Sequence, residues 1–423
     1  MRYILLFFTF SLSLYGTIAY IGSGGDVDIY DVTNPDSVYI ISSFDGVIDE
    51  CPKSVTDIWL YRDYLYVATT RDQSAEYNMY PGGVNIFDAS DSINPVLVSR
   101  VYTGGDVRNI YLQGDLLYVV SKDTRVWDPH TVYQGSLFVY DISDPSSPQL
   151  LDAVEPPGSP MDVYVNGEYV YVGTGDSLLI YTFPPIGVEE DDSLEVDITG
   201  EYVVVKGYSG GIRVYDVVGR DMKVEYSFTG ERYRVYTGDL SSGVYFVYAG
   251  GRVYRFLKVG SYKSVSGIRS LSKQDYSLVR VGGIAMDGNI INGFGDYLYI
   301  CPDSASDFRS VDISNPANPV KKGYVANCSG CIEIVDTFAY VLIDWDALAV
   351  IDISQPDSPV RIDKLQIQKV SKSVGWLICT KGDKLYTADF YNGLRIWDIS
   401  SPGNPVCIYA GNPDYSGKCI EVR

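Results

Sequence analysis

The chain has 423 residues, of which 46% are apolar, with 41 glycines and 20 prolines. Its formal charge of −21 at pH 7 argues against nucleic acid as a partner, because phosphates require a basic surface. Long helical periodicity is absent, so the composition predicts an all-β fold.

The first predicted element is a targeting segment. Residues 2–15 contain one arginine followed by an apolar stretch that is too short to cross a bilayer. This pattern is typical of a secretory signal, which we assign to residues 1–16. No later apolar stretch reaches the roughly 18 residues of a membrane helix. We therefore expect a protein that is secreted, periplasmic or at the cell surface, with no integral membrane segment after signal removal.

A turn motif recurs along the chain, each time after an alternating apolar run. One copy spans Val350–Val360 (VIDISQPDSPV), and further copies begin at Tyr30, Phe87, Tyr140, Val311 and Trp397. Its Asp and Ser/Thr side chains can bond backbone N–H groups two or three residues on, and its prolines fix φ and delay the next strand. The motif predicts a strand closed by a turn and contains no reactive group.

These turns divide the chain into seven four-stranded units, which predicts the blades of a β-propeller. The second strands are expected at 18–21, 64–68, 116–120, 169–173, 297–301, 338–342 and 384–388. The third strands are expected to end at Asp31, Asp88, Asp141, Phe183, Asp312, Asp352 and Asp398.

The two ends of the chain predict closure of the ring. Cys419–Val422 (CIEV) repeats Cys331–Ile334 (CIEI), which occupies an inner-strand position. The first unit begins with a second strand and lacks an inner one. We therefore expect the C-terminal segment to complete blade one and to remove the open edges of a linear array.

The repeats resemble the LVIVD-repeat family, whose signature is an apolar strand, Asp-Ile-Ser-Asn-Pro, two residues and Pro-Val. Residues 311–320, 350–360 and 396–406 match it closely, whereas Val38 replaces the second proline in the first copy. Blade four has Thr182–Pro185 (TFPP) in place of the motif. The resemblance implies a propeller at the cell surface or outside the cell and names no activity.

The middle of the chain departs from the repeat. Residues 186–261 resemble the immunoglobulin-like C-terminal sorting domain of proteins exported by the type IX secretion system, in Tyr215–Arg220 (YDVVGR) and Leu240–Phe246 (LSSGVYF). We expect blades one to four in 17–185, an inserted β-sandwich in 186–261, and the remaining blades in 262–423. Residues 262–281 would hold the displaced outer strand of blade four. The alternative is a nine-bladed propeller without an insert.

Aromatic residues mark one candidate ligand-binding face, formed by the loops between second and third strands. Loops on a rigid scaffold often bind ligands, and aromatic rings offer stacking area to a sugar or peptide. The candidates are Tyr77, Tyr80, Trp127, His130, Tyr133, Trp345 and Tyr391. The alternative is a purely structural role, in which these rings only pack the loops onto the blades.

Alignment of the inner strands places Asp57, Asn109 and Asp162 at one level of the channel. Such oxygen ligands could hold calcium, although polar residues facing a water-filled channel give the same pattern. We predict no other cofactor and no His-based metal site, because His130 is the only histidine.

Seven cysteines in an exported chain favour at least one disulfide. The candidates are Cys51, Cys328, Cys331 and Cys419, and the pairing stays open. Cys328–Cys331 is a CxxC without a second CxxC, which makes a zinc site a weak alternative.

The sequence contains no catalytic constellation, so the leading expectation is a non-catalytic module that binds or scaffolds an extracellular protein, peptide or glycan. One alternative is a propeller-type polysaccharide lyase or glycoside hydrolase, in which Asp57, Asp162 and Arg108 would converge on the channel mouth. The other is a structural surface-layer or adhesion component.

Overall fold

A computed structural model describes most of the chain. The described residues are 16–47, 54–70, 82–103, 105–122, 135–183, 195–199, 202–206, 212–216, 224–228, 232–236, 243–249, 252–259, 264–269, 278–286, 290–301, 307–328, 330–343, 347–367, 376–389, 393–411 and 417–423.

Seven four-stranded antiparallel sheets in this part of the chain are the blades of a propeller. The inner strands are β36 (Gly417–Val422), β4 (Val55–Tyr61), β8 (Asp106–Gln113), β12 (Pro160–Asn166), β24 (Ile290–Phe294), β28 (Ile332–Val335) and β32 (Trp376–Lys381), from blade one to blade seven. The second strands are β1 (Ile18–Ser23), β5 (Tyr64–Thr69), β9 (Leu116–Lys122), β13 (Tyr169–Thr174), β25 (Tyr297–Cys301), β29 (Phe338–Ile343) and β33 (Lys384–Asp389).

The outer half of each blade follows in the same order. The third strands are β2 (Asp26–Asp31), β6 (Gly83–Asp88), β10 (Ser136–Asp141), β14 (Ser177–Thr182), β26 (Phe308–Asp312), β30 (Ala347–Asp352) and β34 (Gly393–Asp398). The outer strands are β3 (Tyr39–Asp45), β7 (Val96–Tyr102), β11 (Gln149–Val154), β23 (Val279–Ala285), β27 (Val320–Val325), β31 (Val360–Gln366) and β35 (Val406–Ala410). A single turn of 3₁₀ helix, Pro35–Ser37, precedes β3.

The recurrent turn joins the third strand to the outer strand through two local hydrogen bonds. The aspartate that ends the third strand accepts a bond of 2.8–3.0 Å from the N–H two residues on in six blades. A backbone bond then closes the following turn, as from Asn318 N–H to the Asn315 carbonyl at 2.9 Å. The aspartate thus satisfies a backbone group where the ladder ends, as the sequence predicts.

The core lies between the blades and repeats with them. A tyrosine in the middle of each second strand is buried, and these are Tyr20, Tyr66, Tyr118, Tyr171, Tyr299, Tyr340 and Tyr386. Tyr20 and Tyr340 each donate from the hydroxyl to a backbone carbonyl in the turn of the next blade, to Ser92 at 2.9 Å and to Pro402 at 2.8 Å. These two tyrosines therefore join neighbouring blades with both the ring and the hydroxyl, whereas the buried hydroxyls of Tyr118 and Tyr299 have no partner among the described residues.

The ring closes through the C-terminal strand, as predicted. β36 pairs with β1 in antiparallel register, with Ala19 opposite Val422 and Ile21 opposite Ile420. Arg423 continues the closure, because its guanidinium contacts Asp63 at 2.6 Å in blade two. The inner strand of blade one therefore comes from the opposite end of the chain from its other three strands.

Residues 195–269 form two further four-stranded sheets that are not blades. One sheet has the order β15 (Glu195–Thr199), β16 (Tyr202–Lys206), β19 (Arg232–Tyr236), β18 (Tyr226–Phe228). The other has the order β17 (Ile212–Asp216), β20 (Gly243–Ala249), β21 (Arg252–Val259), β22 (Ser264–Arg269). The chain passes from one sheet to the other and back, whereas five of the seven blades take four consecutive strands and blades one and four each take three.

Seven blades, rather than nine, surround the channel. β14 pairs with β23 across the intervening segment, with Thr182 opposite Val279, so blade four is complete without residues 195–269. The outer strand of blade four lies further along the chain than the expected 262–281. Ser264–Arg269 instead pairs with β21. The difference arises because blade four lacks the turn motif that marks the start of every other outer strand.

Removal of residues 417–423 should open the ring. The truncation exposes the edge of β1 and removes the buried side chains of Ile420 and Val422. At about 1.5–3 kcal/mol for each buried side chain, we expect the melting temperature to fall by about 10 °C or more. Differential scanning calorimetry checks this, and a synthetic peptide of residues 417–423 should restore part of the loss. An unchanged melting temperature would contradict the closure.

Candidate functional site

The inner strands of all seven blades line one central channel, with a volume of about 560 Å³. Their side chains form two rings. The first ring contains Cys419, Asp57, Asn109, Asp162, Ile290 and Cys331, from blades one to six. The second ring lies opposite the buried tyrosines and contains Glu421, Trp59, Tyr111, Tyr164, Asn292, Glu333 and Cys379.

The two first-ring aspartates tie their own inner strand to the next one. Asp57 accepts from the N–H of Ile58 and, in blade three, from the N–H of Ile110, both at 2.9 Å. Asp162 repeats this in blades four and five, accepting from Val163 and Ile291, both at 2.8 Å. The N–H groups at the channel edge of an inner strand lack a ladder partner on that side. The aspartates supply one.

Two second-ring glutamates bridge blades in the same way. Glu333 of blade six accepts from the Thr380 hydroxyl of blade seven at 2.6 Å and from its backbone N–H. Glu421 of blade one accepts from the N–H of Leu60 in blade two. Four carboxyl groups therefore hold four of the contacts between neighbouring inner strands.

Asn109 is a first-ring residue that does not accept a hydrogen bond from an inner-strand N–H. It lies between Asp57 and Asp162, which already engage the N–H groups of Ile110 and Val163. Its Oδ1 is buried and has no hydrogen-bond partner within the described residues. An aspartate here would be an uncompensated buried charge, so the amide is the less costly residue.

Burial in the channel raises the pKa of all four carboxyl groups. The pKa rises to about 7 for Asp57, Asp162 and Glu333, because loss of hydration outweighs the N–H donors. The pKa of Glu421 rises to about 8, since the negative charges of Asp57 and Glu333 add to burial. The channel walls are therefore less negative at neutral pH than the count of acids suggests.

An aromatic arc occupies blades two to four of the second ring. The ring centroids of Trp59 and Tyr111 are 4.9 Å apart, and those of Tyr111 and Tyr164 are 5.5 Å apart. A side chain at Gly293 would clash with the ring of Tyr164, so glycine at this position makes room for that end of the arc.

These three blades, like blade one, carry a β-bulge just before the first ring. The register shifts between Val55 and Asp57, between Val107 and Asn109, and between Pro160 and Asp162. The extra residues are Thr56, Arg108 and Met161, and all three line the channel. Bulges commonly redirect side chains beside a binding site.

The sequence-predicted residues fall into two groups. Asp57, Asn109 and Asp162 lie together in the channel wall, and Arg108 lies beside them. The aromatic candidates Tyr77, Tyr80, Trp127, His130, Tyr133, Trp345 and Tyr391 lie outside the described residues, as does Cys51. Cys331 and Cys419 line the channel and Cys328 is buried. The disulfide pairing stays a prediction.

Sequence reasoning missed the two glutamates and the aromatic arc. The signal for Glu333 and Glu421 was present, because both stand at the third position of the repeated Cys-Ile-Glu. Trp59, Tyr111 and Tyr164 likewise follow Asp57-Ile58, Asn109-Ile110 and Asp162-Val163. An extension of the inner-strand alignment by two residues would have placed all five in the channel.

Across the described ranges, no helix is long and apolar enough to span a membrane. Within the same ranges, no three His, Cys, Asp or Glu side chains are grouped so as to hold a metal ion. Calcium coordination by the first ring stays a prediction.

Comparison with known protein families agrees with the repeat pattern. A model of the beta propeller domain matches residues 15–182, and the LVIVD repeat matches residues 282–327, 330–364 and 376–410. The chain is a β-propeller, and its later blades contain LVIVD repeats. The matched stretches leave out residues 183–281, which contain the two extra sheets.

Comparison with solved structures supports the fold and does not bear on function. A functionally unknown protein from Desulfotomaculum acetoxidans has a TM-score of 0.55 at 9% identity, over 96% of this chain and 99% of that one. A protein from Lactobacillus plantarum has the same TM-score at 11% identity and the same coverage. The periplasmic gluconolactonase of Pseudomonas aeruginosa matches with a TM-score of 0.47 at 12% identity, over 96% and 98% of the two chains, which is too low to bear on activity. A search of curated proteins found no similar sequence.

The channel carboxyl groups should make this propeller most stable at mildly acidic pH. Their folded-state pKa values are raised, so their contribution is full below about pH 4 and is lost as the pH rises through about 7 to 8. The turn aspartates, such as Asp312 and Asp352, have lowered pKa values, so their contribution is lost as the pH falls below about 4.

Asp57→Asn tests this dependence directly. Because asparagine does not titrate, the variant should release about one proton fewer than the wild type on unfolding near pH 5 to 6, and the difference should disappear as the pH rises past the folded pKa of about 7. Asp162→Asn should behave alike, and the double variant should show about twice the change. Chemical denaturation between pH 5 and 8 gives the number of protons released on unfolding from the slope of the unfolding free energy against pH. Equal slopes in the wild type and all three variants would contradict the raised pKa values.

Proposed function

We propose that this propeller is an exported, non-catalytic binding module whose ligand enters the central channel. The observation that carries the proposal is the contrast between two sets of polar groups. The four channel carboxyl groups already serve as acceptors for neighbouring backbone N–H groups or for Thr380. Thr56 Oγ1, Arg108 Nε and Asn109 Oδ1 have no partner among the described residues.

Unpartnered buried polar atoms cost roughly 1–3 kcal/mol each, so their presence at a cavity calls for an explanation. A ligand that bonds to them in the channel supplies one. The channel volume of about 560 Å³ also falls within the roughly 300–1,000 Å³ typical of ligand pockets.

A lyase or hydrolase is the competing function. The pKa values of about 7 at Asp57 and Asp162 would suit a general acid. Both side chains are, however, engaged as structural acceptors in the contacts between blades, so proton transfer during turnover would disturb the ring.

Glycan and peptide arrays, run with and without calcium, test the binding function. Every compound that binds is then incubated with the protein, and the products are sought by mass spectrometry. We expect binding without products and loss of binding in Asn109→Leu. That variant should keep or raise the melting temperature, since leucine removes a buried amide oxygen that lacks a partner among the described residues.

Two outcomes would overturn the proposal in different ways. Products would replace the binding function by catalysis. Binding that survives in Asn109→Leu but is lost in Trp127→Ala would move the site from the channel to the loop face, where the aromatic candidates were predicted.

We also propose that the two extra sheets are an inserted sorting-type module that serves attachment or export. Their interleaved strand order supports a β-sandwich, and residues 2–15 support export by a signal segment. Residues 195–269, which contain the two extra sheets, have 11 Lys and Arg against 8 Asp and Glu, whereas the whole chain has 33 against 54.

Replacement of residues 184–277 by a short turn tests the independence of the module. Thr182 and Val279 are already paired, so a hairpin loop can join β14 to β23. We expect the propeller to fold and to keep its ligand binding, while surface attachment in the native host is lost. Loss of cooperative unfolding would show that the module is part of the propeller core.

A further inference from the structure

The unpartnered groups identify the chemistry of the ligand, provided that the proposed binding function holds. We propose that the channel binds a small molecule through a carboxylate, which Arg108, Thr56 and Asn109 hold while the body of the ligand lies against Trp59, Tyr111 and Tyr164. All six residues lie on the inner strands of blades two to four and line the channel.

The donors at this site point to an anion. Arg108 is the only basic residue that lines the channel within the described part of the chain, and its buried Nε has no hydrogen-bond partner there. Guanidinium groups bind planar carboxylates with two parallel hydrogen bonds. The four acidic side chains are not such partners, because each is bonded to another strand.

Thr56 and Asn109 fit the same ligand. The Thr56 hydroxyl can donate, and a half-turn of the Asn109 amide presents Nδ2 where Oδ1 now lies. Thr56 and Arg108 are the extra residues of adjacent bulges, and Asn109 follows Arg108 directly. The three residues therefore lie on two neighbouring strands at one side of the channel.

The aromatic arc explains why the ligand is more than an inorganic anion. Trp59, Tyr111 and Tyr164 form a continuous aromatic wall one ring deeper than Asn109. A planar or sugar ring attached to the carboxylate would gain contact area there. The remaining four blades have no aromatic residue at this level, because Asn292, Glu333, Cys379 and Glu421 occupy the equivalent positions.

Calorimetric titration of the full chain tests the proposal with four probes. D-galacturonate and benzoate carry the carboxylate on a sugar ring or an aromatic ring, and D-galactose and benzyl alcohol are their neutral counterparts. The titration is run at pH 6, below the pKa values of about 7 to 8 of the channel carboxyl groups. We expect at least one acid to bind about tenfold or more tightly than its neutral counterpart, and the acid that does so identifies the ring type.

Arg108→Gln should lower the affinity for that acid about tenfold or more and leave the neutral probe unaffected. Arg62→Gln is the matched control, because Arg62 lies on the turn of blade two, exposed and paired with Asp115 at 2.9 Å. Its affinity should equal that of the wild type. Thermal unfolding establishes that both variants fold.

Three results would overturn the carboxylate assignment. They are equal affinity for acids and neutral counterparts, no effect of Arg108→Gln on acid binding, and no binding of either acid up to about 10 mM, a concentration that already marks very weak affinity. If array ligands still bind and Asn109→Leu still abolishes that binding, the binding function stands and only the ligand class is wrong. If the arrays are silent as well, both fall.

Discussion

Everything in this molecule depends on closure of the ring, and closure depends on the pairing of β36 with β1. Seven blades bury their faces only against one another, so each inner strand needs a neighbour on both sides. The strand that completes the circle comes from the far end of the chain. Until it pairs, blade one has an open edge and the channel has a gap in its wall at Glu421.

A second constraint follows from the first. Inner strands converge around an axis, and their channel-side N–H groups have no strand to bond. The chain meets this with carboxylates that reach from one blade to the next, as Asp57, Asp162, Glu333 and Glu421 do. Burial raises the pKa of each of these carboxyl groups, because a carboxyl that accepts from a buried N–H must itself be buried. The pH dependence of stability is therefore a consequence of the architecture.

Most of the fold could be predicted from the sequence because its determinants are local. The Asp-Ile-Ser-Pro turn is decided within a few residues by one carboxylate and one N–H, and it recurs often enough to count blades. The third strands end where the motif places them, to within one residue at Thr182. The outer strand of blade four was not placed accurately, because the two extra sheets separate it from the third strand. No local sequence pattern marks Val279 as the start of that outer strand.

The site was only partly predictable, because its members are chosen by contacts between blades. Asp57 and Asn109 look alike in an alignment, yet one is fully bonded and the other has an unpartnered oxygen. The difference arises because the two aspartates beside Asn109 already accept the available hydrogen bonds. Asp57 accepts from the N–H of Ile110, and Asp162 accepts from the N–H of Val163, so no inner-strand N–H is left for Asn109. No sequence pattern contains this information.

The same alternation supports the proposed binding site in blades two to four. If structure alone governed position 109, an apolar residue would fill it at lower cost than an amide whose buried Oδ1 has no partner among the described residues. The chain instead keeps Asn109 beside Arg108, Thr56 and an aromatic wall, on the three blades where a bulge adds a residue facing the channel. The other four blades present groups whose bonds serve closure, such as Glu333 and Glu421. Asp57 and Asp162 help to hold the ring together here as well. Thr56, Arg108 and Asn109 differ from them, because each has a buried polar atom without a partner among the described residues, which the proposed ligand would engage.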